Sequence, residues 1–407
     1  MLPKLGYTKD VFIVSAYRSA VGKSYRGSLA HKRPDELFAD LMRGMVAKLK
    51  QSSAQFDPAT IEDVILGCAM PEAEQGMNMA RVSGLLSGLP VNVPGMTINR
   101  FCSSGLQSIA LAADRIAAGS GHCFMAGGVE SMTMVPMMGH KPVGSAKIYS
   151  DYPSIYLNMG LTAEKVASQY AVSREEQDEF SYLSHQKALK AQANDYFNAE
   201  ILPVSVRIKV RVKHPEGMDT TEVREGEFCH DEGPRKDTSL AKLARLKPVF
   251  MRGGTVTAGT SSQVSDGAAV CFVCSKEYVT KYNLTPVARM MSYSVAGVEP
   301  EIMGIGPVKA LPEALTMAGL KLDDLDHIEL NEAFAAQSLA VIKSLNLDPA
   351  KINPSGGAIA LGHPLGATGA KLVATLLHSL TRKQEKYGVV TMCIGTGMGA
   401  AGVFELL

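Results

Sequence analysis

One cysteine lies where a thiol can act as a nucleophile. It is Cys102, in Asn99-Arg100-Phe101-Cys102-Ser103-Ser104-Gly105-Leu106. Small residues and a glycine follow it, so a substrate can approach the backbone closely. Unpaired N–H groups and the positive end of a following helix would favour a thiolate at low pH. Four more stretches carry groups that can handle protons or ligands: Asn331-Glu332-Ala333-Phe334-Ala335, Gly356 to Pro364 with His363, Cys393-Ile394-Gly395-Thr396-Gly397, and Gly254 to Gly267. Each lies at an expected strand end or in a glycine-rich turn, where α/β sheets place ligands. Singly, each also has a plain structural reading. His363 can be a hydrogen-bonded structural residue, Asn331 a turn residue, and Cys102 and Cys393 small buried hydrophobes.

The elements that must position these groups follow from periodicity. Leu106, Ile109, Ala110, Ala113, Ile116 and Ala117 fall on one helical face, and Gly119-Ser120-Gly121 closes that helix. Met96-Thr97-Ile98 enters it as a strand. Further strands are expected at Val11–Ala16, Ile61–Cys68, Cys123–Gly128, Asp326–Leu330 and Val389–Cys393. Helices are expected over residues 34–50, 80–86, 311–318 and 370–380, and a loop over 18–26. The alternation predicts an α/β fold with helices packed on a parallel or mixed sheet.

The second half repeats the order of the first. Asp63–Leu66 has a counterpart in Asp326–Leu330, Ile98-Asn99 in Ile352-Asn353, and Cys123–Gly128 in Val390–Gly397. A duplicated α/β unit is expected, with residues 1–120 and 253–283 as one half and 284–407 as the other. Residues 121–252 would be an insertion. It holds a capping box at Ser173-Arg174-Glu175-Glu176 and a strand at Val204–Val212. Arg207, Lys209, Arg211 and Lys213 give that strand a basic face, read as solvated rather than phosphate-binding.

Composition narrows the class. The 407 residues exceed one ordinary core. With 41 basic and 40 acidic residues, nothing calls for nucleic acid or an anionic membrane. No run approaches the ~20 apolar residues of a spanning helix. Seven cysteines without framework spacing fit a reducing compartment. Cys271 and Cys274 lie inside an apolar run and read as buried strand rather than metal or redox site. Neither end carries a secretory, retention or peroxisomal signal, so a cytoplasmic location is expected, or an organellar matrix if a targeting segment has been removed.

Together the chemical stretches resemble the thiolases, and within them the 3-ketoacyl-CoA thiolases of fatty-acid β-oxidation. Residues 99–106, 331–335, 356–366 and 393–401 carry the likeness in the family's order, and it covers nearly the whole chain. It implies the thiolase fold: two similar five-stranded α/β halves in an αβαβα layering, plus a loop domain that holds coenzyme A. It implies Cys102 as nucleophile, His363 as base, Cys393 as second acid/base and Asn331 as a water-positioning amide. Backbone N–H groups of Cys102 and Gly395 would form the oxyanion site. Arg235, Ser239, Ser262, Met159 and Phe334 would contact substrate or coenzyme A. Coenzyme A would be a substrate, with no permanently bound cofactor and no metal. A homodimer or homotetramer is implied, with a β-oxidation hydratase/dehydrogenase as a further partner. Thr368, Lys371, Thr260 and Asn158 depart from residues frequent in the family; Asn158 favours the degradative, broader-chain subgroup.

The chemistry agrees with that resemblance. Cleaving a 3-ketoacyl thioester needs a soft nucleophile, a base near neutrality, donors for the enolate oxygen, and an acid for its carbon. Two other readings remain: an acetoacetyl-CoA thiolase, and a thiolase-like lipid-binding protein without turnover. The intact set of Cys102, His363, Cys393 and Asn331 weighs against the last.

Overall fold

The computed structural model describes residues 4–212 and 220–407; the side chains of 208–222 lie outside the description. Twelve strands are seen among the described residues: β1 (Val11–Arg18), β2 (Gly22–Lys23), β3 (Asp63–Gly67), β4 (Gly95–Ile98), β5 (Cys123–Ser131), β6 (Val204–Val212), β7 (Thr220–Phe228), β8 (Ser265–Ser275), β9 (Ala288–Gly297), β10 (His327–Leu330), β11 (Tyr387–Ile394) and β12 (Met398–Leu406). The main sheet runs β10-β11-β12-β9-β1-β8-β5-β3-β4, with β2 paired to β8.

The duplication is visible in this order. In β4-β3-β5-β8-β1 the first two pairings are parallel and the next two antiparallel. In β10-β11-β12-β9 the same sequence of pairings recurs, and an isolated parallel bridge, Ile328 to Ile352, replaces the fifth strand. The halves meet edge to edge through two opposed pairs of β1 and β9, Phe12 with Arg289 and Ile13 with Ala288.

Both faces of the sheet are covered, which is why its strands read as unbroken apolar runs. In β8, Ala268, Val270, Phe272 and Cys274 face a core shared with Phe38, Leu41, Met42 and Met45 of the helix Pro34–Ser52. The alternate residues Ala269, Cys271 and Val273 face the helices Ser104–Ala118 and Leu365–Lys383. Cys271 and Cys274 therefore lie in different cores. On the far side of the second half, Leu311, Ala314 and Leu315 of Gly306–Ala318 pack on Ile328, Leu330, Val389 and Val403. The layers are helix, sheet, central helix pair, sheet, helix.

The central helices meet at their first turns. A Cβ on Gly105 would lie 2.8 Å from the Gly366 carbonyl and 2.9 Å from the Ala370 nitrogen, so only glycine permits the crossing. Gly119, in the left-handed region at φ 75°, ends the first helix where the sequence places its stop.

Three boundaries differ from expectation. β5 sits between β3 and β8, so the chain expected to leave the core at residue 121 stays in the sheet through Ser131. The segment 18–26 is not all loop: Arg18 closes β1, and Gly22 and Lys23 pair with Asp266 and Ser265. The central helix of the second half starts at Leu365, before the expected residue 370. Arg18 is buried in an ion cluster, its Nε 2.5 Å from Glu200 and its two terminal nitrogens 2.8 and 2.9 Å from Asp231. That cluster ties β1 to the inserted segment. The capping box forms as expected, Glu176 N–H donating to Ser173 Oγ and Ser173 N–H to Glu176 Oε2. β6 exists and pairs with β7; its basic face beyond Arg207 lies outside the described side chains, and Lys213 outside the described residues.

Candidate active site

Cys102 sits in a tight turn, Phe101–Ser103, between β4 and the helix that starts at Ser104. Phe101 adopts φ 44°, a costly conformation for a bulky residue, so surrounding bonds must hold it. Asn99 Oδ1 accepts from the Phe101 N–H at 2.7 Å. Ser104 Oγ accepts from the Arg100 N–H at 2.9 Å and donates to the Phe101 carbonyl at 2.7 Å. The Cys102 side chain packs on Ala69, Met70, Met132 and Leu365. The backbone N–H groups of Gly395 and of Cys102 itself lie near enough to its sulfur to favour the ionised form.

The thiol is not acidified. Burial pushes it up to about 11, the two N–H groups oppose this, and the Glu130 charge adds to it. A low-pH thiolate, expected from the helix end, is therefore corrected. The helix begins two residues later, and desolvation by three other chain segments outweighs its dipole.

His363 is buried just ahead of the other central helix. Its Nδ1 lies 2.6 Å from Thr368 Oγ1, and that hydroxyl donates to the Pro364 carbonyl at 2.9 Å. A hydroxyl has one proton, so Thr368 must accept from Nδ1–H. The network thus assigns the lone pair to Nε2. Asn331 Nδ2 lies 3.3 Å from Nε2 and donates to it, while Asn331 Oδ1 is buried with no donor among the described residues. Burial, aided by the Lys371 charge, lowers His363 to about 3, so the imidazole is neutral at physiological pH.

Cys393 is buried in β11 against Ala163, Val256, Met303, Ala333 and Phe334, with Met159 packed on the same cluster. Burial first, and Cys102 second, pushes its thiol far above the usual range. It is therefore held as the protonated thiol. A Cβ on Gly395 would lie 3.8 Å from the Phe101 ring and 3.9 Å from Met159 Sδ, so Gly395, Phe101 and Met159 share one wall. Phe334 stacks edge-on against Phe250, with ring centres 6.0 Å apart.

A cleft of about 270 Å³ lies beside this centre, lined by Arg235, His185, Lys242, Ser261, Gln263 and Ile359 among others. Arg235 is on its wall. Ser262 and Ser239 are not among the lining residues. Ser262 donates its N–H to the Ala333 carbonyl, and Ser239 Oγ caps the helix Leu240–Ala244. Gln263 joins the cleft to the centre: its carbonyl accepts from the His363 N–H at 3.2 Å, and its amide donates to the carbonyls of Gly233, Ile359 and Ala360. Burial and the nearby Arg235 and Lys23 charges lower His185 to about 4. Sequence reasoning missed Gln263 and Glu130, and noted Thr368 only as a departure. Polar residues inside otherwise apolar or glycine-rich runs were the available signal.

A thiol at a strained turn, a neutral imidazole with a fixed lone pair, an open amide oxygen and a second protonated thiol converge from both halves. The chain matches the model of the thiolase N-terminal domain over residues 11–277 and of the thiolase C-terminal domain over 284–406. The chain belongs to the thiolase family. It is 50% identical over 398 residues to a 3-ketoacyl-CoA thiolase of Bacillus subtilis, covering 98% of this chain and all of that one. A human mitochondrial 3-ketoacyl-CoA thiolase solved in complex with CoA superposes with a TM-score of 0.87 at 37% identity, over the full length of both chains. The dimeric peroxisomal thiolase of Saccharomyces cerevisiae gives 0.85 at 39% identity over 98% of each. Among the described residues of this thiolase, no helix is long and apolar enough to cross a membrane.

Proposed function

We propose that the chain is an acetyl-CoA C-acyltransferase that cleaves 3-ketoacyl-CoA with coenzyme A, giving acetyl-CoA and an acyl-CoA two carbons shorter. The observation that carries the mechanism is the Thr368–His363–Asn331 chain, which keeps Nε2 unprotonated on a neutral ring, its lone pair held at rest by the Asn331 amide. Nε2 takes the Cys102 proton, and the thiolate attacks the 3-keto carbon. The N–H groups near the sulfur, from Gly395 and Cys102, are close enough to stabilise the oxyanion formed beside it. The bond between the α and β carbons then breaks and acetyl-CoA leaves as its enolate. His363 and Asn331 hold the enolate oxygen, and Cys393 gives its proton to the enolate carbon. The imidazolium returns a proton to Cys393, so the first half-reaction is balanced. In the second, coenzyme A gives its thiol proton to His363 and attacks the acyl-Cys102 thioester. Cys102 leaves as thiolate and regains that proton. Arg235 and the cleft it lines suit the charged end of coenzyme A.

The test is mass spectrometry of the enzyme quenched after exposure to 3-ketoacyl-CoA without free coenzyme A. An acyl group on the Cys102 peptide is expected; its appearance elsewhere overturns the assignment. Initial rates across acyl lengths separate this reading from an acetoacetyl-CoA thiolase, which would act on the four-carbon substrate alone.

Two further features belong to this reading. We place the coenzyme A-binding insertion between β5 and β8, from residue 132 to 252, because β5 is a sheet strand. We also expect a homodimer. β4 is an edge strand paired on one side, and Leu85, Leu86 and Val91 beside it are exposed. Light scattering at micromolar concentration checks this; a fully active monomer contradicts it.

A further inference from the structure

Glu130, near the end of β5, is completely buried, and the mechanism above does not use it. Its Oε1 accepts from the Met70 N–H at 3.2 Å, from Gln75 Nε2 at 2.7 Å and from the Cys68 thiol at 3.8 Å. Its Oε2 accepts from the N–H groups of Ala69 and Gly366, both at 2.8 Å. Four of the five partners are N–H groups that can only donate, and the fifth is the weak Cys68 thiol. Burial raises Glu130, and this ring of N–H donors opposes it by favouring the carboxylate.

The donors are the walls of the active centre. Gly366 lies in the first turn of the central helix, three residues after His363 and two before Thr368. A Cβ there would stand 2.7 Å from Glu130 Oε2, so the turn is drawn against the carboxylate as closely as glycine allows. Ala69, Met70 and Leu365, against which Cys102 packs, are themselves donors to Glu130 or adjoin one. The carboxylate thus stands directly behind the surface that carries the sulfur. Other titratable groups around these atoms are few: Cys68 faces Glu130, Cys393 faces Cys102, and Lys371 acts on His363.

We propose that Glu130 is a positioning residue with two effects: its oxygens clamp the His363 turn to the Cys68–Met70 segment, and its charge adds to the burial that holds Cys102 as a thiol until His363 takes the proton. A negative charge behind the sulfur disfavours the thiolate at rest. The clamp fixes the distance between two groups that come from different halves of the chain, and such distances govern rate steeply. The proposal rests on Cys102 being the acylated residue, which the trapped acyl-enzyme checks separately.

The test is the pH dependence of Cys102 alkylation by iodoacetamide, followed on the Cys102 peptide, alongside kcat, KM and thermal melts. Glu130→Gln removes the charge and keeps the shape. Alkylation at pH 7 should rise about tenfold, one pKa unit, with kcat lowered and KM nearly unchanged. Glu130→Asp keeps the charge but retreats from Gly366. Its alkylation profile should stay that of the wild type while kcat falls. An unchanged alkylation profile in Glu130→Gln, or kcat losses in both variants that merely follow melting temperature, overturns the proposal. If neither variant folds, the wild-type profile decides: Cys102 must titrate above free cysteine, and a midpoint at or below it refutes the charge effect.

Discussion

Replacing Thr368 by valine isolates one atom. Valine fills the same volume but offers no oxygen to His363 Nδ1–H, which is 2.6 Å away in a buried site. Leaving such a donor unpaired costs about 1–3 kcal/mol. The ring has an escape. It can move its proton to Nε2, and Asn331 can rotate its amide to present Oδ1, which now has no donor among the described residues. That state satisfies both groups and cannot take a proton from Cys102. The wrong tautomer is favoured by the same 1–3 kcal/mol, so kcat should fall between about fivefold and about 150-fold. Thr368→Ser keeps the oxygen and should stay within about threefold of the wild type by the same scale. Thiolysis is measured at saturating substrate, with melts recorded for each variant. A valine variant that keeps more than half of wild-type kcat at an unchanged melting temperature refutes the tautomer argument. So does a serine variant as damaged as the valine one.

Other outcomes follow from the same geometry. Cys393→Ala should abolish cleavage and condensation yet largely spare exchange of acyl groups between acyl-CoA and free coenzyme A, which needs no carbon acid. Equal loss of both activities would remove Cys393 from that role. With His363 lowered to about 3 and Cys102 raised to about 11, neither group changes charge near neutrality. The reactive forms of both are the neutral ones, so kcat/KM should be flat from about pH 5 to about pH 9, and a midpoint near pH 6–7 would contradict the assigned states. Arg18→Met leaves Asp231 and Glu200 buried without their cation and should cost about 3–5 kcal/mol in urea unfolding; a loss below 1 kcal/mol would show that the cluster relaxes.

The sequence carried the repeat, the central helix after Cys102 and its glycine stop, because periodicity and punctuation are local. Cys102, Asn331, His363 and Cys393 stand out as candidates because each lies at a strand end or glycine turn, and the roles expected of them come from the resemblance to the family. The sequence did not carry their charge states. The Cys102 thiol is set by packing from Ala69, Met70, Met132 and Leu365, distant segments that no local pattern brings together. β9 and β12 were not read at all. β9 alternates half-buried and buried residues through methionine, serine and tyrosine, and β12 opens on small residues, so neither has a strong strand composition. Gln263 and Glu130 escaped because their partners, most of them backbone groups, lie far away in the chain. The place of β5 inside the sheet was not legible because β5 looks like an ending until β8, which pairs with it from far beyond in the chain, is taken into account.

Cys102 and His363 occupy matching places in the two repeats, each just ahead of a central helix, and the helices cross where Gly105 meets Gly366 and Ala370. Two identical half-length chains paired about a twofold axis could offer only the same residue twice at such a crossing. Two thiols or two imidazoles would face each other there, and neither pair could act as nucleophile and base. Joining the repeats in one polypeptide removes that constraint. Each side of the crossing is then encoded separately, and the unequal division of labour becomes a property of covalent linkage as much as of side-chain chemistry.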